Sequence, residues 1–161
     1  MVAIAKIAHH KWPAAKVVFI GPCIVKKLEA SEDHPDLDIL VLTYKELNDA
    51  FKDFQLDETK VVERLFDLEN SNTRLYSISG GLTQSSGVKE ILSEDEVQVI
   101  SGWKNCAEAL DNFEKNTSVR LLDILFCDGG CINGPGIEST LSLEQRRNKI
   151  LGYIEQRKNK N

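Results

Sequence analysis

Cys127-Asp128-Gly129-Gly130-Cys131 is the stretch of this chain best suited to chemistry. Deprotonated thiols are the usual ligands of iron–sulfur clusters and frequent ligands of zinc. A cluster carries negative charge on its sulfides, so it favours backbone N–H donors nearby and little side-chain bulk. Gly129 and Gly130 permit φ > 0 and a close backbone approach. Asn133, Gly134, Pro135 and Gly136 extend the loop. The same residues also fit an ordinary glycine turn that contains two cysteines, and from this segment alone both readings stand.

A third thiol, Cys23, follows Gly21 and Pro22. A zinc site built on Cys127, Cys131 and Cys23 would need a histidine to complete it, because structural zinc takes four Cys or His ligands. His9 and His10 fall in a helical pattern and His34 in an acidic loop, so each reads as solvated. Cys106 shares a helical stripe with Trp103, Leu110 and Phe113, and reads as a small core hydrophobe.

The elements that must position these groups alternate along the chain. Lys16–Ile20, Asp38–Leu42, Arg74–Ser79, Val97–Ser101 and Leu121–Phe126 read as strands. They are compact, and several are apolar without alternation, as strands covered on both faces are. Helical stripes lie between them: Tyr44, Leu47, Phe51 and Phe54; then Trp103 to Phe113; then Leu143, Ile150 and Ile154 behind the N-cap candidate Ser142. A first helix precedes Pro13, and another is expected near Val61–Leu68. This order predicts an α/β fold with a largely parallel sheet flanked by helices. In such sheets ligands sit beyond the carboxyl ends of the strands. Strands running into Gly21-Pro22-Cys23, Gly80-Gly81, Ser101-Gly102 and Cys127 would bring three of the four cysteines to one rim.

The bulk properties narrow the classes. The 161 residues suit one domain, 42% hydrophobic and 28% charged. A net charge of -5 with scattered basic residues argues against a nucleic-acid surface. No apolar run approaches the roughly 20 residues needed to cross a bilayer, and the short apolar N-terminus lacks a cleavage-site pattern. A cytoplasmic location is the expectation, with thiols reduced, catalytic or metal-bound rather than disulfide-paired.

Gly21-Pro22-Cys23-Ile24-Val25-Lys26-Lys27-Leu28-Glu29 resembles the second cluster-binding signature of iron-only hydrogenase large subunits. Cys127 through Gly136 resembles the third. The spacing between them, the Ser79-Gly80-Gly81 turn and the Arg-rich final helix are also similar, so the resemblance covers nearly the whole chain. It implies the hydrogenase catalytic-domain fold. It implies Cys23, Cys127 and Cys131 as ligands of a [4Fe–4S] cluster, with Cys131 bridging to a di-iron unit in catalytic members. It further implies Pro22, Lys26, Gly129, Gly130 and Gly134 as cofactor-binding residues, Lys26 as donor to a cyanide ligand. A solvated lysine is the competing reading of Lys26.

Departures bear on activity. The first signature, which supplies the fourth cysteine and lies beside a proton relay, has no match, so residues 1–161 read as a fragment of the parent domain. Catalytic members carry Met where Gly21 stands and Met-Ala where Leu125-Phe126 stand, and Pro135 breaks the glycine run. These changes resemble the divergent sensory or regulatory branch. The expectation is therefore a cluster-binding fragment of a redox or hydrogen-sensing protein; the alternative is the C-terminal part of a catalytic hydrogenase. The implied partners are an upstream ferredoxin-like, cluster-ligating segment and a signalling domain, with neither nucleic acid nor membrane. An open half-site favours a homodimer. The isolated chain is expected to lack its cluster, with the three thiols near one another.

Overall fold

Val97–Ser101 and Leu121–Leu125 form strands where the sequence predicts them, and they pair in parallel. The computed structural model describes residues 1–62, 64, 66–68 and 71–158. Contacts divide the chain into two compact units, Met1–Glu63 with Gly134–Ser139, and Arg64–Asn133 with Thr140–Asn161.

In the first unit, strand β1 (Val18–Gly21) pairs in parallel with β2 (Leu40–Thr43), in the register Val18↔Leu40 to Gly21↔Thr43. Helix α1 (Val2–Lys11) precedes them, as expected from the pattern before Pro13. Its Ala5 is buried with Ala30, Leu37, Ile39 and Val41, and Met1, Val2, Val17 and Phe19 pack around this cluster. His9 is not solvated as predicted: it is half-buried, with Nε2 2.8 Å from the Leu37 carbonyl oxygen. Helix α2 (Val25–Leu28) is a single turn, continued by a π turn over Glu29–Asp33. Helix α3 (Tyr44–Asp53) starts at a reciprocal cap. The Thr43 hydroxyl accepts from the Glu46 N–H at 3.2 Å, and the Glu46 carboxylate accepts from the Thr43 N–H at 2.8 Å. Of the stripe predicted on α3, Leu47 is half-buried while Tyr44, Phe51 and Phe54 stay open to solvent, Phe54 77% exposed.

In the second unit, α4 (Gly81–Ser85) is a short turn, β3 (Val97–Ser101) leads into α5 (Trp103–Phe113), and β4 (Leu121–Leu125) completes the pair. Ile100, Cys106 and Ala109 are buried together against Leu122 and Ile124. Trp103 and Leu110 of the predicted stripe stay exposed, while Cys106 is buried as expected. Its thiol donates to the Leu125 carbonyl at 3.6 Å, and burial, then the Asp128 charge, push its pKa up. Helix α6 (Leu143–Lys158) ends the described chain; of the expected tail, residues 159–161 lie outside the described residues.

All four strands found among the described residues are parallel, in two separate pairs, and the fold is mixed α/β. The strand expected over Arg74–Ser79 does not form. A 3₁₀ turn covers Ser71–Leu75, and the chain then turns locally, with Ile78 N–H bonded to Leu75 and Gly81 N–H to Ile78. Those donors are spent locally, so no ladder can be built on them. Of the helix expected near Val61–Leu68, residues 63 and 65 lie outside the described residues, and the others adopt no helical backbone.

The cap of α3 gives a pH signature. The Lys27 ammonium, 2.6 Å away, and then the Thr43 N–H and hydroxyl lower the Glu46 pKa from 4.5 to about 2. Because the folded value is the lower one, the interaction stabilises the fold above pH 4.5 and is lost as pH falls through 2. Lys27→Met should move the Glu46 midpoint back toward its ordinary value, read by NMR titration of its side-chain carbonyl. A midpoint that stays near 2 would contradict the assigned cause.

Candidate functional site

The cysteine loop of the second unit begins where β4 ends. Cys127 and Cys131 are both half-buried. Between them the Gly130 N–H closes a turn on the Cys127 carbonyl at 3.0 Å. Gly129 (φ +76°) and Gly130 (φ +104°) occupy the left-handed region that their type permits. The Asn133 N–H bonds the Gly130 carbonyl at 3.0 Å, and its side-chain amide donates to the Asp128 carbonyl at 3.2 Å. Parallel pairing places Ser101 opposite Leu125, and the Ser101 hydroxyl accepts from the Gly129 N–H at 3.1 Å.

The loop rests on the 77–81 turn. The Ile132 N–H donates to the Ser77 carbonyl at 3.1 Å. A Cβ on Gly130 would lie 2.8 Å from that carbonyl oxygen and 2.9 Å from the Ser79 nitrogen. Only glycine fits there without displacing backbone. On the far side, Arg146 of α6 donates to the carbonyls of Leu141 (2.9 Å) and Ile132 (3.1 Å) and to Asn133 Oδ1 (3.2 Å).

Cys23 stands in the first unit, half-buried, between the end of β1 and α2. The neighbouring Pro22 carbonyl accepts the Gly136 N–H at 3.0 Å, and the Gly136 carbonyl accepts the Lys45 N–H at 3.1 Å. Gly134 is buried in the same unit and accepts the Ile137 N–H at 3.1 Å. Lys26 is ion-paired with Glu29, and Lys27 with Glu46.

The structure thus gathers Cys127, Cys131, Gly129 and Gly130 into one loop, and Pro22, Cys23 and Lys26 into one strand-to-helix turn. Among the described residues no group of three or more His, Cys, Asp or Glu side chains is placed to hold a metal ion, so they contain no assembled ligand set. The donor chemistry of the loop nevertheless suits an iron–sulfur cluster: two soft sulfur donors and small residues, on a backbone held by neighbouring turns.

A family model for the iron-only hydrogenase large subunit, C-terminal domain, matches residues 1–135. The chain belongs to that family. The match contains all three candidate cysteines of this hydrogenase domain and ends inside the loop at Pro135, before α6. Compared with curated proteins, the chain matches none. Among the described residues no helix is long and apolar enough to cross a membrane.

Sequence reasoning missed three residues around the loop of this hydrogenase domain. Arg146 is visible only as part of a basic cluster. Asp123 sits in an apolar strand, 2% exposed, and Thr83 in a short polar stretch, 4% exposed. A lone acid inside Leu-Leu-Asp-Ile-Leu-Phe is the signal that could have found the pair, since Asp is seldom buried without a partner.

Gly130→Ala should cost about 1–3 kcal/mol, for a left-handed side chain pressed on backbone. Gly129→Ala should cost less than Gly130→Ala, because the atoms it meets belong to the movable Leu143 side chain. Chemical denaturation of both variants checks the order, and equal losses would count against this account of the turn.

Proposed function

We propose that this hydrogenase domain ligates a [4Fe–4S] cluster through Cys127, Cys131 and Cys23, as part of a redox or hydrogen-sensing protein. The observation that carries the reading is the cysteine loop: two thiols flank consecutive left-handed glycines at the carboxyl end of a parallel strand. A bound cluster would supply one-electron transfer. The chain's own residues supply sulfur donors, small residues at the approach (Pro22, Gly129, Gly130, Gly134) and a backbone held in place by Ser101 and Ser77. The fourth ligand belongs to a cluster-ligating segment of the parent protein, whose signalling domain would read the cluster's state. A cytoplasmic setting and a homodimer complete the proposal.

Hydrogen turnover is the second reading. The Lys26–Glu29 ion pair favours sensing over it, because that ammonium already serves a carboxylate. Reduction of a viologen dye under hydrogen by the matured parent protein would reverse this preference.

The test is anaerobic reconstitution of the parent protein with iron and sulfide. The wild type should develop the broad visible absorption of a cluster. Cys23→Ser, Cys127→Ser and Cys131→Ser should each lose it while their far-ultraviolet dichroism is kept. Cys106→Ala, which removes the core thiol, should retain it. A full chromophore in the Cys127 and Cys131 variants would overturn the assignment.

A further inference from the structure

Asp123 is buried at the centre of β4, opposite Val99. Its Oδ2 accepts two hydrogen bonds from Thr83, from the N–H at 2.9 Å and from the hydroxyl at 2.7 Å. Its Oδ1 meets no donor among the described residues. A buried acceptor without a donor loses its hydration uncompensated, and an apolar side chain would suit a buried strand better. The carboxylate needs a reason to be there.

The reason lies at the start of α4. The first N–H groups of a helix lack partners within it, and a Ser, Thr, Asp or Asn at the N-cap normally accepts from one of them. Here the N-cap is Gly80, at φ +76°, and it has no side chain to offer. Nor does the turn tolerate a larger residue next to it: a Cβ on Gly81 would fall 1.7 Å from the Leu75 carbonyl oxygen. The turn requires its glycines and therefore cannot cap itself. Asp123, 40 residues away, accepts the orphan Thr83 N–H instead. The Ser77 carbonyl and the Ser79 nitrogen, against which Gly130 and Ile132 are seated, belong to the same turn.

We propose that Asp123 is a positioning residue for the cysteine loop, acting through Thr83 on the 77–81 turn that supports Gly130 and Ile132. Loss of the carboxylate releases the turn first and the loop with it, while β3 and β4 keep their pairing. What the loop holds rests on the cluster reading above; that Asp123 holds the loop does not.

The experiment uses the full chain, metal-free and reduced, and follows alkylation of each cysteine by iodoacetamide with peptide mass mapping. Asp123→Ala should speed modification of Cys127 and Cys131 by about tenfold or more, because it removes both hydrogen bonds to Thr83. Cys23 should keep its rate, and Cys106 should stay protected. Thr83→Val removes the hydroxyl bond and keeps the capping N–H bond, so it should raise the Cys127 and Cys131 rates less than Asp123→Ala does. Asp123→Asn keeps an acceptor oxygen for Thr83 and should stay within about twofold of wild type. Unchanged rates at Cys127 and Cys131 in a folded Asp123→Ala would overturn the proposal. So would a rise matched by Cys106, which would indicate general loosening. If Asp123→Ala does not fold, Asp123→Leu, which fills the buried strand position without an acceptor, decides by the same outcomes. Reconstitution separates the two claims. A wild type that takes up no cluster defeats the cluster reading and leaves the alkylation result standing. A wild type that takes one up, beside flat alkylation rates in the variants, defeats the positioning role alone.

Discussion

Parallel pairing is the constraint on which the loop depends. Two strands running the same way deliver their carboxyl ends to one edge. The register Ser101↔Leu125 therefore sets the turn after β3 beside the loop after β4. A slip of one residue would turn Ser101 to the other face and remove the acceptor of the Gly129 N–H. The first unit repeats the principle: Gly21↔Thr43 brings the end of β1 beside the start of α3, where Gly136 bridges Pro22 and Lys45.

Much of this was legible in the residues, and what was not has a common cause. Val97–Ser101 and Leu121–Leu125 are compact apolar runs, and the thiols and glycines of the cysteine loop declare their own chemistry. Cys106 was legible as a core residue, although Trp103 and Leu110 of its stripe stay exposed and its neighbours in the core are Ile100 and Ala109. Arg74–Ser79 misled because a compact run resembles a strand by composition, whereas a strand also needs unspent backbone donors. Ile78 is wholly buried, yet its N–H is used three residues back. Asp123 escaped notice because a capping partner usually lies within three residues, and its own lies 40 away. The α3 stripe was legible as a pattern; nothing in the pattern says that most of its face stays open to solvent.

Family membership and local geometry speak to different questions. The family match covers Cys23 and the cysteine loop alike. The geometry treats them differently. Cys127 and Cys131 lie on a loop held by Ser101, Ser77 and Arg146. Cys23 sits between a four-residue strand and a one-turn helix, followed by the exposed side chains of Ile24 and Val25.

Arg146 adds a last consequence. Its single planar cation reaches three acceptors drawn from separate stretches: Leu141 ahead of α6, and Ile132 and Asn133 just past the thiols. A rigid fork of donors cannot swing toward one of these without letting go of the others. A lysine, with a compact charge on a flexible stem, has three donors but no planar fork to hold them in fixed directions. The closing helix and the sulfur-bearing segment are thus clamped into one mechanical piece, so a tug on either end is felt at the other.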